Sequence, residues 1–334
     1  MLEYGKKKGR KIVELLEGGF MDILVFGLGA LGTVFATCLK NAGHNVYTFI
    51  KKEHLSKFKN KKLKIIGLFG EKEVELNEFF YELKDLKERF LDLIILTVKA
   101  FDTEKAIYQI KEIIKPDTLV LLAQNGYGNY EIASKILGKE KVILGRVIFG
   151  ARVIKPGLAE VTVIADDVVI GQPDKAIDKT TLENIANMLT NAGIPTRVSE
   201  DVYAILWDKI LYNSALNPLG ALLECSYGDL AEMEETRWIM NKIIDEIFEV
   251  TKANNIKLNW KNSEEYKKIF YEKLIPPTAK HYPSMYYDIK SGKKTEIDAL
   301  NGAIVELAKK AGLKAEINQV ITNLIKAKEK LVFK

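Results

Sequence analysis

Lys209, Asn213 and Asn217 recur at every fourth position of the stretch AILWDKILYNSALNP, residues 204 to 218, among side chains that otherwise belong in a protein core. At 3.6 residues per turn, positions four apart drift by only about 40°, so the three form one stripe on a helix. Ile205, Leu206, Ile210 and Leu216 fall beside that stripe, while Asp208 and Tyr212 mark another side expected to reach water. An ammonium and two carboxamides in an apolar surround are costly unless they meet a partner or a polar cavity. They read either as a satisfied structural network, since lysine stems also snorkel out of helices, or as the wall of a ligand cleft. Pro218 disfavours helical geometry at Asn217 and is expected to splay that side chain into such a cleft.

A second set with chemical meaning is Gly27-Leu28-Gly29-Ala30-Leu31-Gly32, a GxGxxG that follows an apolar run and opens a helical one. Glycines there let the chain turn tightly, bring backbone close to a pyrophosphate and pack helix on strand. The helix N-terminus then offers aligned N–H groups to phosphate oxygens. Where the next strand ends, an NAD enzyme places an acid for the ribose hydroxyls; this chain has Lys51-Lys52, which suits a 2′-phosphate. NADPH is therefore the expected cofactor, with NAD left open by the nearby Glu53. Lys99 in LTVKAFDT and Asn125 in LLAQNGYGN end later strands, on the side where open α/β sheets bind ligands. Their alternatives are a strand cap and a turn. Farther on, PSMYYDIKSGKKTEID contributes Ser284, placed to cap a helix, Asp288, a local brace, and Glu296, an acid at the start of an apolar helical run.

The elements that must carry these residues follow from hydrophobic period. A βαβ pattern begins at residue 21, and further β-type runs cover residues 63 to 69, 74 to 76, 91 to 98 and 118 to 123, the last two followed by helical stretches. Parallel strands with covering helices are the economical arrangement. Closely spaced β-runs around Pro156-Gly157 suggest a late hairpin at one sheet edge. Beyond residue 199 the segments 201 to 223, 229 to 254, 263 to 274, 284 to 291, 297 to 311 and 316 to 330 read as helix. The expected fold is an α/β, Rossmann-type dinucleotide-binding domain at residues 21 to 198, followed by an all-α domain at 199 to 334, with residues 1 to 20 as an extension.

Composition narrows the function classes. A chain of 334 residues exceeds one ordinary core, which agrees with two domains. The net charge of +5 comes from mixed acids and bases, not from a basic block, so no nucleic-acid partner is expected and small anionic ligands are. There is no apolar run of membrane-spanning length and no signal-like N-terminus, so no membrane association and a cytoplasmic location are expected. Cys38 and Cys225 and the three histidines lack metal-ligand spacing, so no metal site is expected. The abundance of Lys, Glu and Ile with few Cys and Met is the balance of hyperthermophile proteins.

Taken together, the GxGxxG, VKAFDT, QNGYG, the Lys-x3-Asn-x3-Asn-Pro helix and the Ser-Met…Thr-Glu-Ile-Asp pair make the chain resemble the ketopantoate reductase family from residue 21 to about residue 330. The resemblance implies NADPH-dependent reduction of 2-dehydropantoate to (R)-pantoate, a step toward pantothenate and coenzyme A. It implies that Lys209 is the general acid and that Asn213, Asn217 and Ser284 hold the substrate. Glu296 would sit near substrate and cofactor, and Lys99, Asn125 and Ala151 would line the cofactor pocket, with Asn125 also reaching substrate. Family members often carry Asn where this chain has Tyr227 and His281, which leaves room for a remade hydrogen bond or a shifted 2-oxo acid preference. A homodimer is the assembly considered.

The chemistry is that of a carbonyl. Hydride addition leaves negative charge on the ketone oxygen, and a nearby cation stabilises it and then supplies a proton; burial lowers a lysine's pKa and a neighbouring carboxylate raises it, so Lys209 with Glu296 can make a usable acid. Carboxamides both donate and accept, which suits a hydroxylated oxo acid. Two rivals remain at this level: another NAD(P)-dependent 2-hydroxy-acid or opine-type dehydrogenase, and a non-catalytic NADPH-binding sensor, which has no need for the Lys209, Asn213, Asn217 and Glu296 set.

Overall fold

A computed structural model describes residues 19 to 58, 61 to 76 and 79 to 333; the expected N-terminal extension lies, up to residue 18, outside the described residues. In chain order the strands are β1 (Asp22–Phe26), β2 (Asn45–Phe49), β3 (Lys62–Gly67), β4 (Lys72–Glu75), β5 (Phe79–Phe80), β6 (Leu93–Leu96), β7 (Leu119–Leu122), β8 (Val142–Arg146), β9 (Phe149–Lys155), β10 (Leu158–Ile164), β11 (Val168–Gly171) and β12 (Thr196–Val198). The first α-helices are α1 (Ala30–Asn41), α2 (Thr103–Lys111), α3 (Asn129–Leu137) and α4 (Lys179–Asn191). After them come α5 (Val202–Leu223), α6 (Tyr227–Glu232), α7 (Glu234–Ala253), α8 (Ser263–Ile269), α9 (Ser284–Lys290), α10 (Asn301–Lys310) and α11 (Glu316–Val332).

The chain divides into two compact units: the first takes the chain up to Gln124 and again Asn129–Val202, the second takes Asn125–Gly128 and Tyr203–Lys334. In the first, eight strands form a sheet in the order β12-β11-β8-β7-β6-β1-β2-β5. The strands from β5 to β8 run parallel, and β11 is antiparallel to β8. Strands β6, β7, β8 and β11 are buried along their whole length, which is why they run without alternation and are apolar but for Arg146 at the end of β8. Chain order reverses between β1 and β6, the switch point at whose carboxyl ends open α/β sheets take ligands.

The hairpin around Pro156-Gly157 is not at an edge of this sheet, as period alone suggested. β9 and β10 pair with β3 and β4 in a separate four-stranded sheet, order β4-β3-β10-β9, and β3 and β4 are antiparallel. Burial alternates along β3 and β10, the pattern of strands with one wet face; their inner residues Leu63, Ile65, Ala159 and Val161 share a core with Val34, Phe35 and Leu39 of α1.

The second unit is built around α5. Trp207, Leu211, Ala215 and Leu216 on it are fully buried, and Met240, Ile243, Ile244 and Ile247 of α7 and Ile321 and Ile325 of α11 supply further core. Two expected helices are interrupted: Met233, in extended geometry, separates α6 from α7, and a short 3-10 turn at Ile297–Ala299 precedes α10. Asp208 and Tyr212, expected to reach water, are covered by the segment from 259 to 278. Asp208 accepts from Asn259 Nδ2 at 2.6 Å and Trp260 Nε1 at 2.9 Å, and the Tyr212 hydroxyl meets Thr278 Oγ1 at 2.5 Å.

Pro218 does not end or divert α5, which continues through Asn217 to Leu223. A proline there removes the N–H that would reach the carbonyl of Ser214, four residues back. Asn301 Nδ2 takes that place, donating to Ser214 O at 3.1 Å and also to Asn318 Oδ1 at 3.0 Å. Asn318 Nδ2 in turn donates to Glu246 Oε2 at 2.7 Å, and Glu246 accepts the backbone N–H groups of Ile317 and Asn318 at the start of α11. This buried polar network repairs the gap, and the helix keeps its course.

Candidate active site

In the sheet unit, Gly27 follows β1 with φ +106°, and a Cβ on it would stand 3.0 Å from Val98 Cγ1. Thr97 Oγ1 donates to Gly27 O at 2.7 Å, which ties the turn to the end of β6. A Cβ on Gly32 would come within 1.9 Å of Gly27 O, so only glycine lets α1 start this close to the strand. Gly29, by contrast, has nothing within 4 Å of the place a Cβ would occupy. It is the N-cap of α1 and supplies no side-chain cap, and the first turn, which begins with Ala30 and Leu31, holds no acid. Leu28 and Leu31 lean on the core. An open backbone and an uncapped positive helix end fit the diphosphate of a dinucleotide.

Lys51, exposed at the end of β2, makes an ion pair of 3.3 Å with Asp102. Lys99 is half-buried and leads into the 3-10 turn Ala100–Asp102 that holds this acid. The turn, Lys51 and Lys99 thus gather at the strand ends beside the switch point. Ala151 lies instead on β9, opposite Val161 in the smaller sheet.

The helical unit contains a small cavity lined by Asn125, Asn213, Asn217, Ser284, Met285, Asp288, Glu296 and Leu300. Lys209 Nζ donates to Asn125 Oδ1 at 2.6 Å, and Asn125 Nδ2 to Glu296 Oε2 at 3.4 Å. The carboxamide therefore bridges ammonium and carboxylate. Its loop is seated closely: Gly126 has φ +85°, and a Cβ there would meet Ala299 Cβ and O at 2.6 Å. Tyr127 N donates to Ala299 O at 2.8 Å, and its ring lies 5.3 Å from that of Trp207 on α5. Glu296 is only 9 % exposed and makes no cap bond, so its carboxylate serves the cavity and not a helix end.

Ser284 begins α9 after Pro283 and makes no cap bond either; its hydroxyl belongs to the cavity wall. Asp288 stands one turn later on the same helix and lines the same cavity, in keeping with its i+4 spacing from Ser284. Asn217 is buried, and its Oδ1 accepts from the Tyr227 hydroxyl at 2.7 Å. Tyr227 is thus behind the lining. Its ring packs 5.8 Å from Tyr212 and 5.3 Å from His281, and burial pushes its pKa well above the ordinary value, which keeps the phenol a donor. Burial likewise lifts Tyr212 to about 12 and lowers His281 below its usual value. Among the described residues no cluster of His, Cys, Asp or Glu could hold a metal, and no helix is long and apolar enough to cross a membrane.

Comparison with known proteins covers both units. Residues 23–175 match the family "Ketopantoate reductase PanE/ApbA" and residues 201–329 match "Ketopantoate reductase PanE/ApbA C terminal". A 2-dehydropantoate 2-reductase of Aquifex aeolicus is 50% identical over 310 residues, 92% of this chain and 97% of the relative. One of Pyrococcus abyssi is 34% identical over 311 residues, 93% and 99% of the two chains. Among solved structures, D-mandelate dehydrogenase with NADH and anilino(oxo)acetate superimposes with a TM-score of 0.82 at 28% identity, covering 93% of this chain and 99% of that one. A PanE/ApbA family ketopantoate reductase from Ralstonia eutropha JMP134 gives 0.83 at 25% identity, covering 94% and 100%.

Proposed function

The chain belongs to the ketopantoate reductase family, and on that premise we propose that it reduces 2-dehydropantoate to (R)-pantoate with NADPH, in the biosynthesis of pantothenate and coenzyme A. The observation that carries the reading is the Lys209–Asn125–Glu296 series beside a cavity whose remaining polar groups are small neutral donors and one acid.

NADPH supplies a hydride from its nicotinamide when bound. In this proposal the domain at residues 21 to 198 holds it: the backbone of Gly27 to Gly32 takes the diphosphate, Lys51 the 2′-phosphate, and Lys99 and Ala151 border the nicotinamide side. The domain at 199 to 334 holds the oxo acid through Asn213, Asn217 and Ser284. Lys209 keeps its ammonium at the ketone oxygen, stabilises the charge that develops there and gives it a proton, which completes the secondary alcohol. Asn125 accepts from Lys209 and so aims the ammonium, and Glu296 holds the other end of that carboxamide. Without its amide bridge the lysine would have more rotamers to search, and positioning is a large part of catalytic rate.

The likeness to D-mandelate dehydrogenase supports a second reading, another 2-hydroxy-acid dehydrogenase with NADH. The experiment that separates them follows NADPH and NADH oxidation with 2-dehydropantoate against pyruvate, 2-oxoisovalerate, oxaloacetate and benzoylformate. A kcat/KM for 2-dehydropantoate no higher than for the others overturns the proposal. A cytoplasmic homodimer completes it, and light scattering on the purified chain tests the assembly.

A further inference from the structure

Asn217 is only 6 % exposed and lines the cavity, and Tyr227 behind it is 4 % exposed. The Tyr227 hydroxyl donates to Asn217 Oδ1 and has no other acceptor among the described residues, while Asn217 Nδ2 has no protein partner among them. Were the carboxamide reversed, its N–H groups would face a hydroxyl that still needs an acceptor, and a buried O–H would go unsatisfied. The phenol is itself strapped in place: Tyr227 N donates to His281 O at 3.1 Å and Gly228 N to Ala279 O at 2.8 Å. Ser226 caps the helix that Tyr227 begins, with Asp229 completing a capping box.

We infer that Tyr227 is a positioning residue that fixes the Asn217 carboxamide with its oxygen inward and its two N–H donors toward the cavity, so that this part of the cavity takes a substrate oxygen that accepts hydrogen bonds. The inference rests on the proposed reductase activity for the identity of that substrate. The cavity is then sorted by polarity: Asn217 offers donors only, whereas Asp288 and Glu296 offer carboxylate oxygens. A small oxo acid would place an accepting oxygen, not a hydroxyl donor, at Asn217. Tyr227 thereby acts on specificity through a neighbour.

The test is a double-mutant cycle on the full chain with Tyr227→Phe, Asn217→Ala and the pair. Tyr227→Phe is expected to raise KM for 2-dehydropantoate about fivefold, the worth of one hydrogen bond, with kcat within about twofold. Its affinity for NADPH stays at the wild-type value. The pair is expected to be no worse than Asn217→Ala alone. Asn217→Asp, which replaces the donors by an anionic acceptor, raises KM further than Tyr227→Phe. In parallel, the Asn217 side-chain amide resonance, assigned by its absence in Asn217→Ala, shifts in Tyr227→Phe. A wild-type KM in Tyr227→Phe, additive losses in the pair, or an unmoved Asn217 resonance overturns the inference. A wild-type chain that turns over none of the oxo acids overturns the functional reading instead, and the resonance still decides the Tyr227 contact.

Discussion

Replacing Asn301 by Ala should destabilise the helical unit by about 2 kcal/mol. Two buried acceptors, Ser214 O and Asn318 Oδ1, lose their donor, at about 1–3 kcal/mol each. Asn318 cannot turn its carboxamide to compensate, because its Nδ2 is held by Glu246. Against this, the substitution removes Asn301 Oδ1, which is buried and has no partner of its own, and that offsets about one such term. The cause has a specific signature. In a Pro218→Ala background the backbone regains the N–H that belongs to Ser214 O, so the cost of losing Asn301 should fall by about 1 kcal/mol or more. The assay is urea denaturation followed by tryptophan fluorescence, since the three tryptophans, Trp207, Trp238 and Trp260, all lie in this unit. An Asn301→Ala cost that is the same in the wild-type chain and in the Pro218→Ala background would falsify the account of how α5 tolerates its proline.

Lys209→Ala should lower kcat by about 10²- to 10⁴-fold, with far-UV dichroism unchanged; a variant within threefold of wild type would remove Lys209 from the proton-donating role. Gly29→Ala and Gly32→Ala should part company: the first has open space and leaves the melting temperature alone while weakening NADPH by about tenfold or more, whereas the second, 1.9 Å from Gly27 O, loses stability as well. Asp178 accepts from both Thr181 N and Thr181 Oγ1 at the start of α4, and these bonds hold its carboxyl below the usual value. Its contribution is therefore complete above the unfolded-state pKa and is lost as pH falls through the folded one, so the deficit of Asp178→Ala, about 1 kcal/mol at pH 7, should narrow toward pH 3 in calorimetry. Finally, Cys38 is fully buried and its thiol is pushed up to about 11, while Cys225 is half-buried; a disulfide reagent should modify one thiol of the native chain and two after denaturation.

How much of this was legible in the sequence depends on which interactions are local. The glycine loop, the parallel core strands and the Lys209 stripe follow from spacing and period, because turn geometry and burial act over a few residues. The hairpin at Pro156-Gly157 has the same local pattern wherever it pairs, so its membership of a second sheet with β3, some ninety residues earlier, could not be read from period. Asp208 and Tyr212 are polar enough to suggest water, and only the later segment from 259 to 278 covers them. Pro218 suggested a disrupted turn because its remedy, Asn301, is more than eighty residues away. The common face of Ser284 and Asp288, one turn apart on the same helix, is by contrast a local feature.

The assignment of Asn125–Gly128 to the helical unit bears on how the chain can be cut and recombined. A fragment starting at residue 203 would carry Lys209 and Glu296 but leave behind the carboxamide that joins them, and with it the Gly126 contact to Ala299. A chimaera exchanging halves with a relative at that position would draw the ammonium from one parent and its oxygen partner from the other. Grafting four residues, 125 to 128, along with the C-terminal half keeps both from one lineage.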